Sequence, residues 1–119
     1  MKLHEIGLLA KDPNASKKFY HNVLGLHVDH EEDGLSAFNG GWPGLEIGCS
    51  EYLDRVHLSF IVDDVDKLAE ELRAKGVKFV GPEDIHLEKR AIALTDPDGL
   101  RILIQSPTEA SPDWVKEIL

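Results

Sequence analysis

Three side chains that commonly bind divalent metals lie at matched places in the two halves of the sequence. His4 stands near the start of the chain, Glu46 lies near the end of the first half, and His57 opens the second half. Two neutral imidazoles and a carboxylate are suitable ligands for Fe²⁺, Mn²⁺, Ni²⁺, Co²⁺ or Zn²⁺. An ion held by these three groups would keep open positions for a substrate oxygen and would act as a Lewis acid.

These groups can meet only if each lies on the same face of its strand, because side chains alternate between the two faces. In the strand predicted for residues 56–62, the apolar alternation places His57 on the face opposite the helix. In the strand 44–49, the inward set is Leu45, Ile47 and Cys49, which leaves Glu46 on the open face. Cys49 is expected to be an inert core thiol.

The first and last strands complete the predicted open face. In the first strand we expect His4, Ile6 and Leu8 on the open side, with Glu5 and Gly7 towards the helix. In the last strand the open side carries Arg101, Leu103 and Gln105. We predict that a substrate contacts these three residues and Trp42, which lies in a Gly/Pro-rich loop beside the Glu46 strand.

The order of elements is the same in both halves. The first half predicts a strand at 2–10, a helix from Pro13 to a stop at Gly25, and strands near 26–30, 34–39 and 44–49. The second half predicts a strand at 56–62, a helix capped by Asp63 or Asp64 and stopped by Gly76, and strands near 77–80, 87–95 and 100–105. This indicates duplication of a βαβββ unit of roughly 50 residues.

The predicted fold class is therefore α+β, with two paired βαβββ modules forming a cup-shaped mixed sheet. The modules cover about 1–50 and about 55–106 of one domain, 1–119, and a helical tail follows at 107–119. The first helix is expected to bury Phe19, Tyr20 and Val23, and Trp114 is expected to anchor the tail helix. The spacing of three further histidines is not typical of metal ligands; these are His21, His27 and His30.

Composition excludes several classes of partner. Lysine and arginine number 13 against 22 acidic residues, so the net charge is −9, and no basic cluster suits a nucleic acid. No apolar run approaches the ~20 residues of a membrane span. Lys11 and Asp12 follow the N-terminus too soon for a signal peptide, so a cytoplasmic location is expected. The single cysteine excludes an internal disulfide.

Three segments resemble the vicinal oxygen chelate superfamily, which includes glyoxalase I, extradiol dioxygenases and bleomycin-resistance proteins. They are HEIGLLAKDPNASKKFYHNVLGL (4–26), VHLSFIVDDVDKLAEELRAKGV (56–77) and LTDPDGLRILI (94–104). The resemblance implies a homodimer and metal ligands at His4, Glu46 and His57. The position of the family's fourth ligand falls on Leu103, which cannot bind a metal.

The sequence is compatible with three different functions. The first is a divalent-metal-dependent lyase, isomerase or dioxygenase with an incomplete metal site, in which Glu46 is a ligand and a catalytic base. The second is a metal-free protein that sequesters a small cationic or aromatic molecule, as bleomycin-resistance proteins do; the net charge and Leu103 favour it. The third is a structural relic whose cup is filled by its own side chains.

Overall fold

The computed structural model describes residues 1–118, and the chain folds as two compact units. The first unit is His4–Leu58; the second consists of Met1–Leu3 and the residues from Ser59 onward. Both units combine strands with short helices, as the predicted α+β class requires. None of the helices in residues 1–118 has the length and apolar character needed to cross a bilayer.

The first unit follows the predicted βαβββ order. It contains β1 (Lys2–Leu9) from His4 onward, α1 (Pro13–Lys17) continued by a π-helix (Lys18–Val23), β2 (Val28–Glu32), β3 (Leu35–Asn39) and β4 (Glu46–Ser50). The strands lie in the order β2-β3-β4-β1. β1 and β4 are parallel, whereas β2/β3 and β3/β4 are antiparallel.

The first helix begins and ends where the sequence predicts, but it does not bury the predicted face. Asp12 caps its N-terminus by accepting a hydrogen bond from the Asn14 amide at 3.0 Å, and Gly25 follows with φ +78°. From Lys18 the winding is π-helical, which rotates the side chains away from α-helical spacing. Phe19 and Val23 are consequently 50% and 70% exposed, so the prediction that both are buried is wrong.

The second unit repeats this order. It contains the later part of β5 (His57–Ile61), α2 (Val65–Ala74), β6 (Val80–Ile85), β7 (Lys89–Thr95), β8 (Arg101–Ser106) and α3 (Asp113–Lys116). Asp64 caps α2 by accepting from the Lys67 amide at 3.1 Å. The buried core consists of Val65, Ala69, Ile92 and Ile104, with Phe60 and Val62 packed against it. The predicted helix-facing side of β5 is therefore confirmed.

The sixth strand lies several residues later than the sequence predicts. Gly81 and Pro82 suggest a turn after a strand at 77–80, yet both lie within β6. The pairing of β6 with β7 shifts between Val80 and Glu83, so the Gly-Pro pair is accommodated as an irregularity of an edge strand.

The short C-terminal helix is anchored by Val115 and not by Trp114. Val115 is buried, whereas Trp114 is 57% exposed, so the predicted anchor is wrong. We expect Val115→Ala to lower the free energy of unfolding by about 2 kcal/mol, because it empties a filled core position. Trp114→Ala, the matched control, should cost less than about 0.5 kcal/mol in the same urea titration. Equal losses for both variants would contradict this assignment.

Candidate functional site

Glu5, Glu46 and His57 lie on one face of the first unit. β1 and β4 pair in register with Glu5 beside Glu46 and Gly7 beside Gly48, and residues paired in this way point to the same face. The His57 Nε2 atom lies 3.4 Å from Glu5 Oε1. Two carboxylates and an imidazole, drawn from β1, β4 and β5, therefore converge.

Two glycines leave the space that these side chains occupy. A Cβ on Gly7 would lie 2.6 Å from His57 Nε2 and 2.7 Å from His57 Nδ1, so the imidazole ring rests directly on the Gly7 backbone. A Cβ on Gly48 would lie 3.1 Å from Glu5 Oε2. The absence of side chains at these two positions lets the His57 ring and the Glu5 carboxylate approach the backbone of β1 and β4 closely.

The predicted orientation of β1 is wrong. Glu5 and Gly7 share the face of Glu46 and His57, so strand alternation places His4 on the opposite side. That side carries Cys49, which is buried and interacts with Ser16 of α1. Both His4 and Gly7 are buried, so hydrophobicity does not distinguish the two faces of β1 as it does those of β5.

The carboxyl group of Glu46 has an unusual electrostatic environment. Partial burial is the largest cause that raises its pKa, from 4.5 to about 7. The negative charges of Asp29 and Glu5 and a hydrogen bond with Asp29 raise it further, whereas nearby His30 lowers it. A carboxyl with a pKa near neutrality can both accept and release a proton under physiological conditions.

The three predicted metal ligands, His4, Glu46 and His57, do not come together as the sequence suggested. Within residues 1–118, no three His, Cys, Asp or Glu side chains come together in a way that could hold an ion. His4 lies on the other face of β1 from Glu46 and His57, because the register pairs Glu5 with Glu46.

The predicted substrate-binding residues lie in different places. Trp42 lies in the loop between β3 and β4 and is 67% exposed. The other three, Arg101, Leu103 and Gln105, belong to β8 of the second unit. They alternate with Ile102 and Ile104, which pack towards α2, so they point away from that helix as predicted.

Sequence reasoning missed three members of the cluster around Glu46. Glu5 was assigned to the wrong face, although His57 and Glu46 themselves lie on the predicted face. Asp29 and His30 were missed because they are adjacent in sequence, and regular alternation would put them on opposite faces. The Val28–His30 register shift changes this, and nothing in the composition of VDHEE reveals it.

The raised pKa of Glu46 predicts how the free energy of unfolding changes with pH. Because the folded-state pKa lies above the ordinary 4.5, the folded chain keeps a proton that the unfolded chain releases between pH 4.5 and about 7. Stability from this group is thus present at low pH and lost as pH rises through that window. We expect Glu46→Gln to exceed the parent stability by about 1–2 kcal/mol at pH 8, allowing for solvent screening, and to match it near pH 4.

Urea titrations at a series of pH values measure this difference. Glu51→Gln is the matched control, because it removes an exposed carboxylate just after β4. A Glu46→Gln advantage that does not grow with pH, or one that Glu51→Gln shares, would contradict the raised pKa.

Comparisons with known proteins identify the family. The family model of the glyoxalase/bleomycin resistance protein/dioxygenase superfamily matches residues 2–104. The uncharacterized protein YaeR of Escherichia coli (strain K12) is 30% identical, over 83% of this chain and 91% of that protein.

Solved structures share the fold. Methylmalonyl-CoA epimerase from Mycobacterium tuberculosis superposes with a TM-score of 0.73 at 20% identity, over 90% of this chain and 88% of that one. A superfamily member from Vibrio splendidus 12B01 gives a TM-score of 0.66 at 16% identity, over 87% and 96%. These findings agree with the resemblance seen in the sequence. The chain belongs to the glyoxalase/bleomycin resistance protein/dioxygenase superfamily.

Proposed function

We propose that this protein is a proton-transfer enzyme that moves a hydrogen at a carbon atom next to a carbonyl group of a small molecule. The observation that carries the proposal is the convergence of Glu5, Glu46 and His57 on one face of the first unit. An isomerase or lyase of this type needs a group that removes a proton and a group that stabilises the resulting oxyanion.

Glu46 is the proton-transfer group in this proposal. In its ionised form the carboxylate accepts the proton from the substrate carbon, and in its neutral form it returns the proton to the same or a neighbouring carbon. Its raised pKa near 7 keeps both forms populated at neutral pH. A glutamate with an ordinary pKa would be a far weaker base.

His57 stabilises the oxygen that gains charge. Its Nε2 faces Glu5 Oε1 at 3.4 Å, so the carboxylate fixes the orientation of the ring, and the ring rests on Gly7. In its protonated form the ring directs Nε2–H at Glu5 and keeps Nδ1–H to donate to an enolate oxygen, and a ring held in this way does so without reorganising. Glu5 acts through His57 and is therefore a positioning residue.

The fold comparison is compatible with this chemistry. The name of methylmalonyl-CoA epimerase, whose structure superposes on this chain, denotes the epimerisation of a CoA ester. Removal and return of a proton at a carbon next to a carbonyl group would achieve such a change. The likeness is at 20% identity and concerns the fold, so the substrate of that enzyme serves here only as one member of a test panel.

Deuterium incorporation tests the proposal. The protein is incubated in D₂O with a panel of small carbon acids, including α-hydroxy ketones, 2-substituted 3-oxo acids and a methylmalonyl thioester. Loss of the Cα–H signal is followed by proton NMR. We expect enzyme-dependent exchange with at least one compound; exchange that survives unchanged in Glu46→Gln would contradict the assignment.

A second candidate function is binding without chemistry. Glu5, Asp29 and Glu46 place three carboxyl groups close together in a chain of net charge −9, which favours a cationic ligand. Such a protein would be stabilised by aromatic or aliphatic amines and would give no deuterium exchange. Thermal shifts with an amine library, measured with and without EDTA, separate this function from catalysis.

The predicted homodimer, divalent metal and cytoplasmic location stay predictions. Sedimentation velocity measures the oligomeric state, and elemental analysis of the native protein and of His57→Ala measures the metal. A metal present in the native protein and lost in His57→Ala would support the sequence-based metal site.

A further inference from the structure

The turn between β3 and β4 has a well-defined backbone. The Trp42 carbonyl oxygen accepts a hydrogen bond from the Leu45 amide at 3.3 Å. Pro43 and Gly44 lie between them, and Gly44 has φ +81°. Proline followed by a left-handed glycine is the pattern of a type II β-turn. Below this turn, the Gly40 amide donates to the Leu45 carbonyl oxygen at 2.8 Å, so Trp42 is held at the first position of a closed turn.

The side chain of Asn39 ties this turn to the end of β3. Its Oδ1 accepts from the Gly41 amide at 2.8 Å, and its Nδ2 donates to the Trp42 carbonyl oxygen at 3.5 Å. Asn39 pairs in register with Glu46, so the two side chains leave the same face of the sheet. The amide of Asn39 is therefore engaged in holding the backbone around Trp42.

Trp42 is exposed although its backbone is held. The residue is 67% exposed, so its indole lacks the stabilisation that burial of a large aromatic side chain gives. Tryptophan is enriched at binding surfaces, where a partner supplies the missing burial. A closed turn that presents an indole to solvent is thus typical of a binding loop.

The turn lies at the end of the strands that carry the candidate site. Gly40 and Leu45 follow directly on the Asn39–Glu46 pair, so the Trp42 backbone lies within roughly 10 Å of the Glu46 backbone. A substrate with its reacting carbon at Glu46 and an arm of a few carbon atoms would reach the indole.

The charges of the first unit favour a cation on that arm. From His4 onward, strands β1 to β4 carry no lysine or arginine, and the turn 40–45 carries no charged residue. A cation is attracted to such a surface and stacks favourably on the face of an indole, whereas an anion is repelled. The acidic residues of these strands are Glu5, Asp29, Glu31, Glu32 and Glu46.

We propose that Trp42 is a specificity-determining residue that stacks on an ammonium or quaternary ammonium group at the far end of the substrate, and that Asn39 is the positioning residue that holds Trp42 there. The reacting end of this substrate rests on the proposed function, in which Glu46 takes the proton. The cationic end rests on the turn and its charges, and binding measures it without any reaction.

Three α-hydroxy ketones with the same four-carbon arm test the proposal. The arm ends in a trimethylammonium, a tert-butyl or a carboxylate group; the first two have the same shape and differ in charge. Binding is followed by calorimetry and by fluorescence of Trp114→Phe, which leaves Trp42 as the one tryptophan of the chain. We expect the cationic ketone to change the Trp42 emission and to bind at least about fivefold more tightly than the tert-butyl ketone. The carboxylate ketone should bind most weakly.

Trp42→Ala is expected to weaken binding of the cationic ketone about 10-fold and that of the tert-butyl ketone less than about threefold. Trp42→Phe keeps an aromatic face and should lose less affinity. Trp114→Ala is the matched control, because it removes the other exposed indole, and it should keep the parent affinity. Equal affinity of the parent for the cationic and tert-butyl ketones, unchanged binding of the cationic ketone in Trp42→Ala, or no binding of any of the three ketones overturns the proposal.

Asn39→Ala tests the positioning role. Without the amide the turn loses its tie to β3, so the fluorescence anisotropy of Trp42 should fall, and the cationic ketone should bind at least about threefold more weakly. Asn39→Asp keeps an oxygen that can accept from the Gly41 amide and should keep the parent anisotropy. Parent anisotropy and parent affinity in Asn39→Ala would remove Asn39 from the proposal.

The two proposals fail separately. If the cationic ketone binds through Trp42 but no carbon acid exchanges deuterium, the recognition of a cation stands and the proton-transfer function falls. If exchange depends on Glu46 but binding ignores Trp42 and the charge of the arm, the function stands and the role of Trp42 falls.

Discussion

Glu46→Gln is expected to lower the rate of deuterium exchange by ~10²–10⁴-fold, because it removes the group that takes and returns the proton. The amide is close in size to the carboxyl and keeps a hydrogen-bonding oxygen, so the fold and the ligand contacts should persist. The parent rate should rise with pH through about 7, where the Glu46 carboxyl ionises. The measurement is the loss of the substrate Cα–H signal in D₂O across a pH series.

Glu51→Gln controls for the loss of a negative charge near the end of β4 and should keep the parent rate. Substrate affinity, measured by calorimetry, should change less than the rate in Glu46→Gln. A Glu46→Gln variant that loses affinity and rate together would assign Glu46 to binding. An unchanged rate would remove it from the reaction altogether.

The sequence predicted two of the three converging side chains for a clear physical reason. β5 has a continuous apolar set on one side, and β4 has Ile47 and Cys49 on one side, so His57 and Glu46 had to face the other way. β1 gives no such signal, because both of its faces are covered. Its orientation depends on the register with β4, which only the folded structure provides.

The elements themselves were easier to predict than their side-chain directions. Pro13, Asp64, Gly25 and Gly76 mark the helix ends because a first-turn proline, a cap and left-handed glycines act locally. The π-helical turn that exposes Phe19 and the bulge at Asp29 both insert one residue into a regular repeat. Neither insertion changes the composition, so periodicity alone places the following side chains on the wrong face.

Gly7→Ala is expected to cost about 2–3 kcal/mol of unfolding free energy, because the new methyl group would overlap the imidazole of His57. The methyl carbon would lie 2.6 Å from Nε2 and 2.7 Å from Nδ1, well inside contact distance. The ring is buried and stands against Glu5, so it can move aside only by giving up its 3.4 Å contact with that carboxylate. Urea unfolding measures the stability, and deuterium exchange should fall at least ~10²-fold with the displaced ring.

Gly48→Ala is the matched control on the neighbouring strand. Its methyl group would meet the end of the Glu5 side chain at 3.1 Å, and that flexible end can shift by a few tenths of an ångström. We therefore expect it to cost less than about 1 kcal/mol and to leave the His57 ring in place. A larger loss in Gly7→Ala than in Gly48→Ala would show that the His57 ring packs on the Gly7 backbone. A similar loss in both would show only that these strands do not tolerate alanine. Equal stability and equal exchange in the two variants would mean that Gly7 does not position His57.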